Sequence, residues 1–361
     1  MKRGAAFLLS ALMSVGLLSG CGGQIEASSS MEEPKEITGT MEQLRVLLPY
    51  HVNHGLAEQK KDQFALSLQQ ALERQGWAVD QVTVDVAPTA TSSGKALDDG
   101  TADVVILPAS QYLTYNEDAK LLMTATRPGL NVKSTDPQDW NGSVDSVAYT
   151  AEDCPYSRTL ICATKSEKGQ KLASEAKNGT LTWEMLQDAT WMYPRAQTSS
   201  DFFYPDLWLT KKFDKTMLDL PHTIPIEGYG ALFAEAGRGD ADVIVIEADK
   251  RIDYAEAWKL SSEALDYTGK RGLGHEDSIF NEIQVLGVTE PIYGDVMVLR
   301  TEEEALRNVD FQYALIEAMD TLENDDITRE IWDSCGYTGF TSSNDTYYEN
   351  IHDVPVFDAG E

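Results

Sequence analysis

The sequence predicts an α/β protein built as two lobes of similar design, and three observations carry that expectation. The first is a repeat. Gly100-Thr-Ala-Asp-Val-Val-Ile-Leu-Pro-Ala109 reads almost like Gly239-Asp-Ala-Asp-Val-Ile-Val-Ile-Glu-Ala248. Each copy sets a helix-ending glycine before a continuous β-branched run, the pattern of a strand buried on both faces of a sheet. The second is length: roughly 320 residues follow the N-terminal segment, more than one typical domain. The third is the alternation of helical stripes with apolar runs, which points to mostly parallel sheets with the ligand beyond their carboxyl ends.

Taken in order, the chain opens on an address. Lys2 and Arg3 precede a short apolar run, Ala5 to Leu18, which ends in Leu18-Ser19-Gly20-Cys21. The run is too short to span a bilayer. The tetrapeptide resembles the lipobox of bacterial lipoproteins. Residues 1–20 are therefore expected to be a signal peptide, and Cys21 the lipidated anchor of an extracytoplasmic protein. Residues 21–42 complete a polar tether rich in Gly, Ser and Glu that cannot bury a core.

Leu44 to Leu48 reads as the first strand. The next segment carries Phe64, Leu68, Ala71 and Leu72 on one stripe and stops at Gly76. Strand Val82 to Val86 leads to Thr91-Ser92-Ser93, and strand Thr190 to Tyr193 leads to Thr198-Ser199-Ser200. This looks like a second correspondence between the lobes. Thr159 to Ala163 is a further strand. Thr301 and Glu304 form a capping-box signature before a helix carrying Leu306, Phe311, Leu315 and Leu322. The expected division is lobe one at 43–158, lobe two at 159–284, and a return to lobe one at 285–361.

Composition excludes several function classes. The net charge of −30 becomes −32 once Lys2 and Arg3 are removed, which disfavours nucleic acid as a partner. No Gly-x-Ser-x-Gly, Gly-x-Gly-x-x-Gly or His-Glu-x-x-His occurs, so no enzyme, cofactor or metal site is expected. Among five histidines, only the His51-x-x-His54 spacing hints at a metal. Beyond Cys21 the cysteines are Cys154, Cys162 and Cys335. Their count allows one bridge, involving Cys335, or three free thiols.

With the leader, the repeat and the hydroxyl triplets in hand, the chain resembles the periplasmic-type binding proteins for phosphonate, phosphite and related oxyanions. The resemblance runs from about Leu44 to Tyr348. It implies the two-lobed type II periplasmic-binding-protein fold with a central cleft and hinge, and partnership with an ABC permease and ATPase. The family's oxyanion turn matches Thr198-Ser199-Ser200-Asp201-Phe202 and Pro205, with Asp201 where Gly is usual. Its tyrosine at the start of the second lobe matches Tyr156, and its acids match Asp249 and Asp295. A histidine often found upstream of the second repeat falls near Tyr229, and a first-lobe tyrosine falls on Ala90.

The physical reading of these residues agrees. A helix N-terminus offers unpaired amides and a partial positive charge, so Thr198, Ser199 and Ser200 suit an oxyanion, with Arg195 three residues upstream. Ser92 and Ser93 offer the same chemistry in lobe one. Asp249 and Asp295 suit an ammonium at the far end of a zwitterion such as an aminoalkylphosphonate, and Tyr156 and Tyr229 suit stacking or phenol hydrogen bonds. The expected protein is a monomeric solute-binding lipoprotein. The same fold would also serve a sulfonate, nitrate or thiamine-precursor binder, or a ligand-sensing receptor.

Overall fold

The computed structural model describes residues 35–115, 117–143, 146–195, 202–343 and 347–348. The expected leader, Cys21 and most of the expected tether lie outside the described residues, as does the turn Thr198, Ser199 and Ser200.

Strand β1 (Gly39–Leu48) starts five residues before the expected Leu44, so the end of the expected tether belongs to a sheet. Its first half is largely exposed and held by main-chain pairing with β2 (Trp77–Val86), from Gly39 opposite Trp77 onward. Pairing without an apolar pattern leaves no signal in sequence. Gly39 is required there, since a Cβ would stand 2.6 Å from the Trp77 ring. Between them, α1 (His54–Arg74) is capped by Asn53, whose side chain accepts from Leu56 N. Its buried stripe is the expected Phe64, Leu68, Ala71 and Leu72, and Gly76 ends the turn at φ +89°.

Then come α2 (Ala90–Asp98), β3 (Val104–Leu107), α3 (Ala109–Tyr112), β4 (Ala119–Leu130), β5 (Tyr149–Cys154) and β6 (Tyr156–Ser157). The second sheet is built by β7 (Thr159–Ala163), α4 (Glu167–Lys177), α5 (Trp183–Gln187), β8 (Trp191–Pro194), α6 (Tyr204–Phe213), β9 (Thr223–Ile226), α7 (Gly228–Arg238) and β10 (Val243–Glu247). It closes with α8 (Lys250–Lys259), α9 (Ile279–Glu282) and β11 (Gln284–Val288). The chain returns through β12 (Ile292–Tyr293), β13 (Val296–Arg300), α10 (Glu304–Arg307), α11 (Val309–Leu322), α12 (Asp326–Cys335) and β14 (Gly339–Ser342). The expected capping box does not form. Instead the Asn308 side chain accepts from Asp310 N and Phe311 N, and splits the expected helix into α10 and α11.

The first sheet runs β14-β4-β13-β3-β1-β2, with β5 on β4, and the second runs β11-β7-β10-β8-β9. Neither is mostly parallel. In each, a parallel trio (β3-β1-β2, β10-β8-β9) is extended by an antiparallel neighbour, β13 or β7. The repeat seen in sequence is β3 and β10, which hold the same place in their sheets. Their leading aspartates do the same work. Asp103 accepts from Arg45 N and Asp242 from Thr190 N, both at 2.9 Å. Asp103 also takes the Arg45 and Arg300 guanidiniums, and Asp242 the Ser166 hydroxyl.

That equivalence corrects the second correspondence. Sheet position pairs β1 with β8 and β2 with β9, not Val82–Val86 with Thr190–Tyr193. The counterpart of the turn after β8 is the loop after β1, at Tyr50 and His51. The counterpart of Thr91 to Ser93 is the first turn of α7, at Tyr229.

The chain crosses between sheets as a short antiparallel ribbon, in which Tyr156 of β6 lies opposite Tyr293 of β12. An additional excursion lies between β4 and β5. Trp140 and Val147 are buried in a cluster with Leu160, Phe233, Ile246 and Phe280 of the second sheet and its helices. The Asn141 side chain pairs with both main-chain polar groups of Val285 in β11. All three cysteines in the described residues are free thiols, so the bridge to Cys335 is not made. Complete burial pushes the Cys162 thiol up to about 12.

Candidate functional site: the cleft between the sheets

The carboxyl ends of β1, β3 and β10 reach one cleft, which the β6–β12 ribbon also lines. A cavity of about 360 Å3 there is lined from both sides. The first sheet contributes Tyr50, His51, Pro108, Arg127 and Asp295. The second contributes Tyr229 and Glu247, and the ribbon adds Tyr156, Ser157 and Tyr293.

Three of the expected residues meet in this cavity: Tyr156, Tyr229 and Asp295. The Tyr156 ring lies 5.8 Å from that of Tyr293 and beneath the Arg158 guanidinium at 5.4 Å. Tyr229 sits in the first turn of α7, where its phenol oxygen accepts from Glu247 N at 3.1 Å. Asp295 leads into β13 and accepts from His51 Nε2 at 2.8 Å and from the Tyr337 hydroxyl at 2.5 Å. Burial, reinforced by the Asp295 charge, raises the Tyr337 phenol well above its ordinary range, so it stays a donor. Tyr50 is raised for the same two reasons.

Asp249 does not reach the cavity. It caps α8 and is fully buried, with Arg251 Nε at 3.0 Å from one carboxylate oxygen and Nη2 at 2.6 Å from the other. Arg251 is equally buried and donates onward to the Ile283 and Trp140 carbonyls. An acid so placed closes a structural ion pair and has no face for a ligand. The acid that lines the cleft is two residues earlier: Glu247, at the end of β10, 3.4 Å from Arg127 and 3.6 Å from Lys250. Burial would lower the Lys250 ammonium, but Glu247 and Asp253 together raise it.

Ser92 and Ser93 are likewise engaged. Ser92 forms a capping box with Thr89, and both serine hydroxyls donate to the Thr89 carbonyl. Ser93 is fully buried. Of the two histidines in the His51-x-x-His54 spacing, His51 binds Asp295 and His54 the Tyr50 carbonyl. Among the described residues no three His, Cys, Asp or Glu side chains are grouped to hold a metal.

Sequence reasoning missed Tyr50, Arg127, Arg158 and Glu247. Two of them carried a signal, since Arg158 stands directly before the buried run of β7 and Glu247 ends the buried run of β10.

Comparison with known proteins agrees with this architecture. A sequence model described as "ABC transporter, phosphonate, periplasmic substrate-binding protein" matches residues 53–348. No curated protein shows significant sequence similarity to the chain. Among solved structures, protein Mh-p37 of Mycoplasma hyorhinis superposes with a TM-score of 0.58 at 13% identity, covering 85% of this chain and 96% of that one. XAC2383 from Xanthomonas citri, bound to ATP, gives 0.51 at 13% identity over 86% of this chain and 95% of that one. PhnD1 from Prochlorococcus marinus, in complex with methylphosphonate, gives 0.47 at 11% identity over 86% and 96%. At these identities the first two likenesses speak to the fold, which is that of two-lobed periplasmic binding proteins.

Proposed function

Because the chain belongs to the phosphonate family of periplasmic substrate-binding proteins of ABC transporters, we propose that it delivers a phosphonate-like oxyanion to its permease from a membrane anchor on Cys21. The family is one of solute carriers, not of enzymes. On this reading the oxyanion head is held by Thr198, Ser199 and Ser200, which follow β8 in the chain. An ammonium at the other end of the ligand sits by Asp295, with Tyr156 and Tyr229 against the chain between.

The observation that supports this reading most is the meeting of Tyr156, Tyr229 and Asp295 in one cavity lined from both lobes. A carboxylate already accepting from His51 and Tyr337 is oriented and partly desolvated, and keeps lone pairs for a cationic group.

Calorimetric titration with alkylphosphonates, aminoalkylphosphonates, phosphite, phosphate, sulfate and taurine tests it. Phosphonates should bind best. Asp295→Asn should cost an aminoalkylphosphonate about 2 kcal/mol or more and leave an alkylphosphonate unchanged. Binding of sulfonates alone, or equal losses for both phosphonates, would refute the assignment.

A further inference from the structure

Past Tyr156 the cleft continues into a second chamber of about 300 Å3, which shares Arg127, Tyr156, Ser157 and Glu247 with the first. Its charge is mostly positive. Arg127, Lys133, Arg158 and Lys250 line it, with Glu247 the sole carboxylate among the described lining residues. Trp140, Tyr149 and Leu130 supply apolar wall.

Three of the four cations already have acids: Arg127 with Glu247, Lys133 with Glu152, and Lys250 with Glu247 and Asp253. Arg158 differs. It is 8% exposed and has no carboxylate partner among the described residues. Its terminal nitrogens donate to the Thr289 and Lys133 carbonyls at 2.6 and 3.0 Å, and its Nε has no hydrogen-bond partner. A guanidinium cannot shed its proton to escape burial, and an uncompensated buried cation is costly. A carboxylate entering the chamber that Arg158 lines would supply the missing counter-charge.

The neighbourhood also fixes what stands beside that carboxylate. Glu247 pairs with Thr159, the residue after Arg158, and Ala248 N donates to the Arg158 carbonyl. The cleft acid and the buried cation are thus one position apart in the ladder, and both line the second chamber. That arrangement matches an ammonium and a carboxylate carried on one carbon.

Resting on the reading of the first cavity as a phosphonate site, we propose that the ligand is a phosphono-α-amino acid: its carboxylate is held by Arg158 in the second chamber and its ammonium by Glu247. Asp295 then completes the ammonium's surroundings from the opposite lobe.

The test uses the full mature chain and three probes: 3-aminopropylphosphonate, 2-amino-4-phosphonobutyrate, which adds only the carboxylate, and glutamate, which keeps the amino-acid end without phosphorus. A carboxylate meeting a buried guanidinium should tighten binding about tenfold or more. The wild-type protein should therefore prefer 2-amino-4-phosphonobutyrate by at least that factor. Arg158→Gln should erase the preference, leaving the two phosphonates with equal affinity whatever loss is common to both. The wild-type preference stands as its own readout if Arg158→Gln does not fold. Equal affinities, or a preference for the ligand without the carboxylate, would overturn the second chamber's role and leave the phosphonate reading intact. Arg158-dependent binding of glutamate, with neither phosphonate bound, would support the chamber and overturn the phosphonate reading. No binding of any probe would overturn both.

Discussion

Arg127 of β4 and Glu247 at the end of β10 form a 3.4 Å ion pair that joins the two sheets across the cleft. Both side chains are partly exposed, so the pair contributes at most about 1 kcal/mol and is screened by salt. Arg127→Gln should accordingly change unfolding stability little. It should, however, let the ligand-free lobes spread, since no other ion pair in the described residues spans these two strands. Small-angle scattering at low salt should give a larger radius of gyration for the variant, and raising the salt should bring the wild type toward it. Superimposable low-salt profiles would contradict this.

Asp249 and Arg251 form a pair with no access to water. Removing one partner of such a pair leaves an uncompensated buried charge and costs about 3–5 kcal/mol. Asp249→Ala should show that loss in urea denaturation. A loss below about 1 kcal/mol would mean that the pair does not hold the start of α8.

Glu323 supplies a pH dependence of known sign. Burial raises its carboxyl to about 6, although Phe340 N donates to it and partly offsets the shift. The folded state thus favours the neutral acid. Its contribution is fully present below the ordinary value of 4.5 and is lost as pH rises through about 6. Glu323→Gln keeps an acceptor for Phe340 N and cannot ionise. The variant should match the wild type in melting temperature near pH 4 and exceed it by a few degrees at pH 7.5, as read by calorimetry. A difference that is constant with pH would exclude Glu323 as the cause.

If Cys21 alone carries the lipid, Cys21→Ala should move the protein from the membrane fraction to the soluble fraction. Retention in membranes would refute the anchor.

How much of this was legible depends on whether the signal is local. The stripe of α1 and the buried runs of β3 and β10 declare themselves, because a core-facing period is written along the element itself. Asp103 and Asp242 were visible in the repeat, but their role was not, because the amides they take, Arg45 N and Thr190 N, lie more than fifty residues away. The strand correspondence failed because matching triplets of Thr and Ser are short and generic, whereas equivalence is set by sheet neighbours far away in sequence. The excursion that buries Trp140 in the second sheet has no local mark either. For the site, Asp295 lines the cavity. Asp249 does not, because Arg251 two residues on lies on its side of α8 and takes both carboxylate oxygens. Sequence shows that an acid is present and leaves open which neighbour claims it.

The placement of β13 between β3 and β4 bears on how the molecule is made. Every element of the second sheet, and the excursion packed on it, precedes residue 290, so that half is complete once the chain has emerged that far. The first sheet is begun earliest and finished last. Its central antiparallel strand, and the helices α11 and α12 that cover α1, come from the final part of the chain. Contacts of such long sequence separation close slowly. During export, β3 and β4 must therefore wait without the strand that joins them, and α1 without its covering helices, while the second lobe folds, and that interval is when the protein is most exposed to aggregation and proteolysis.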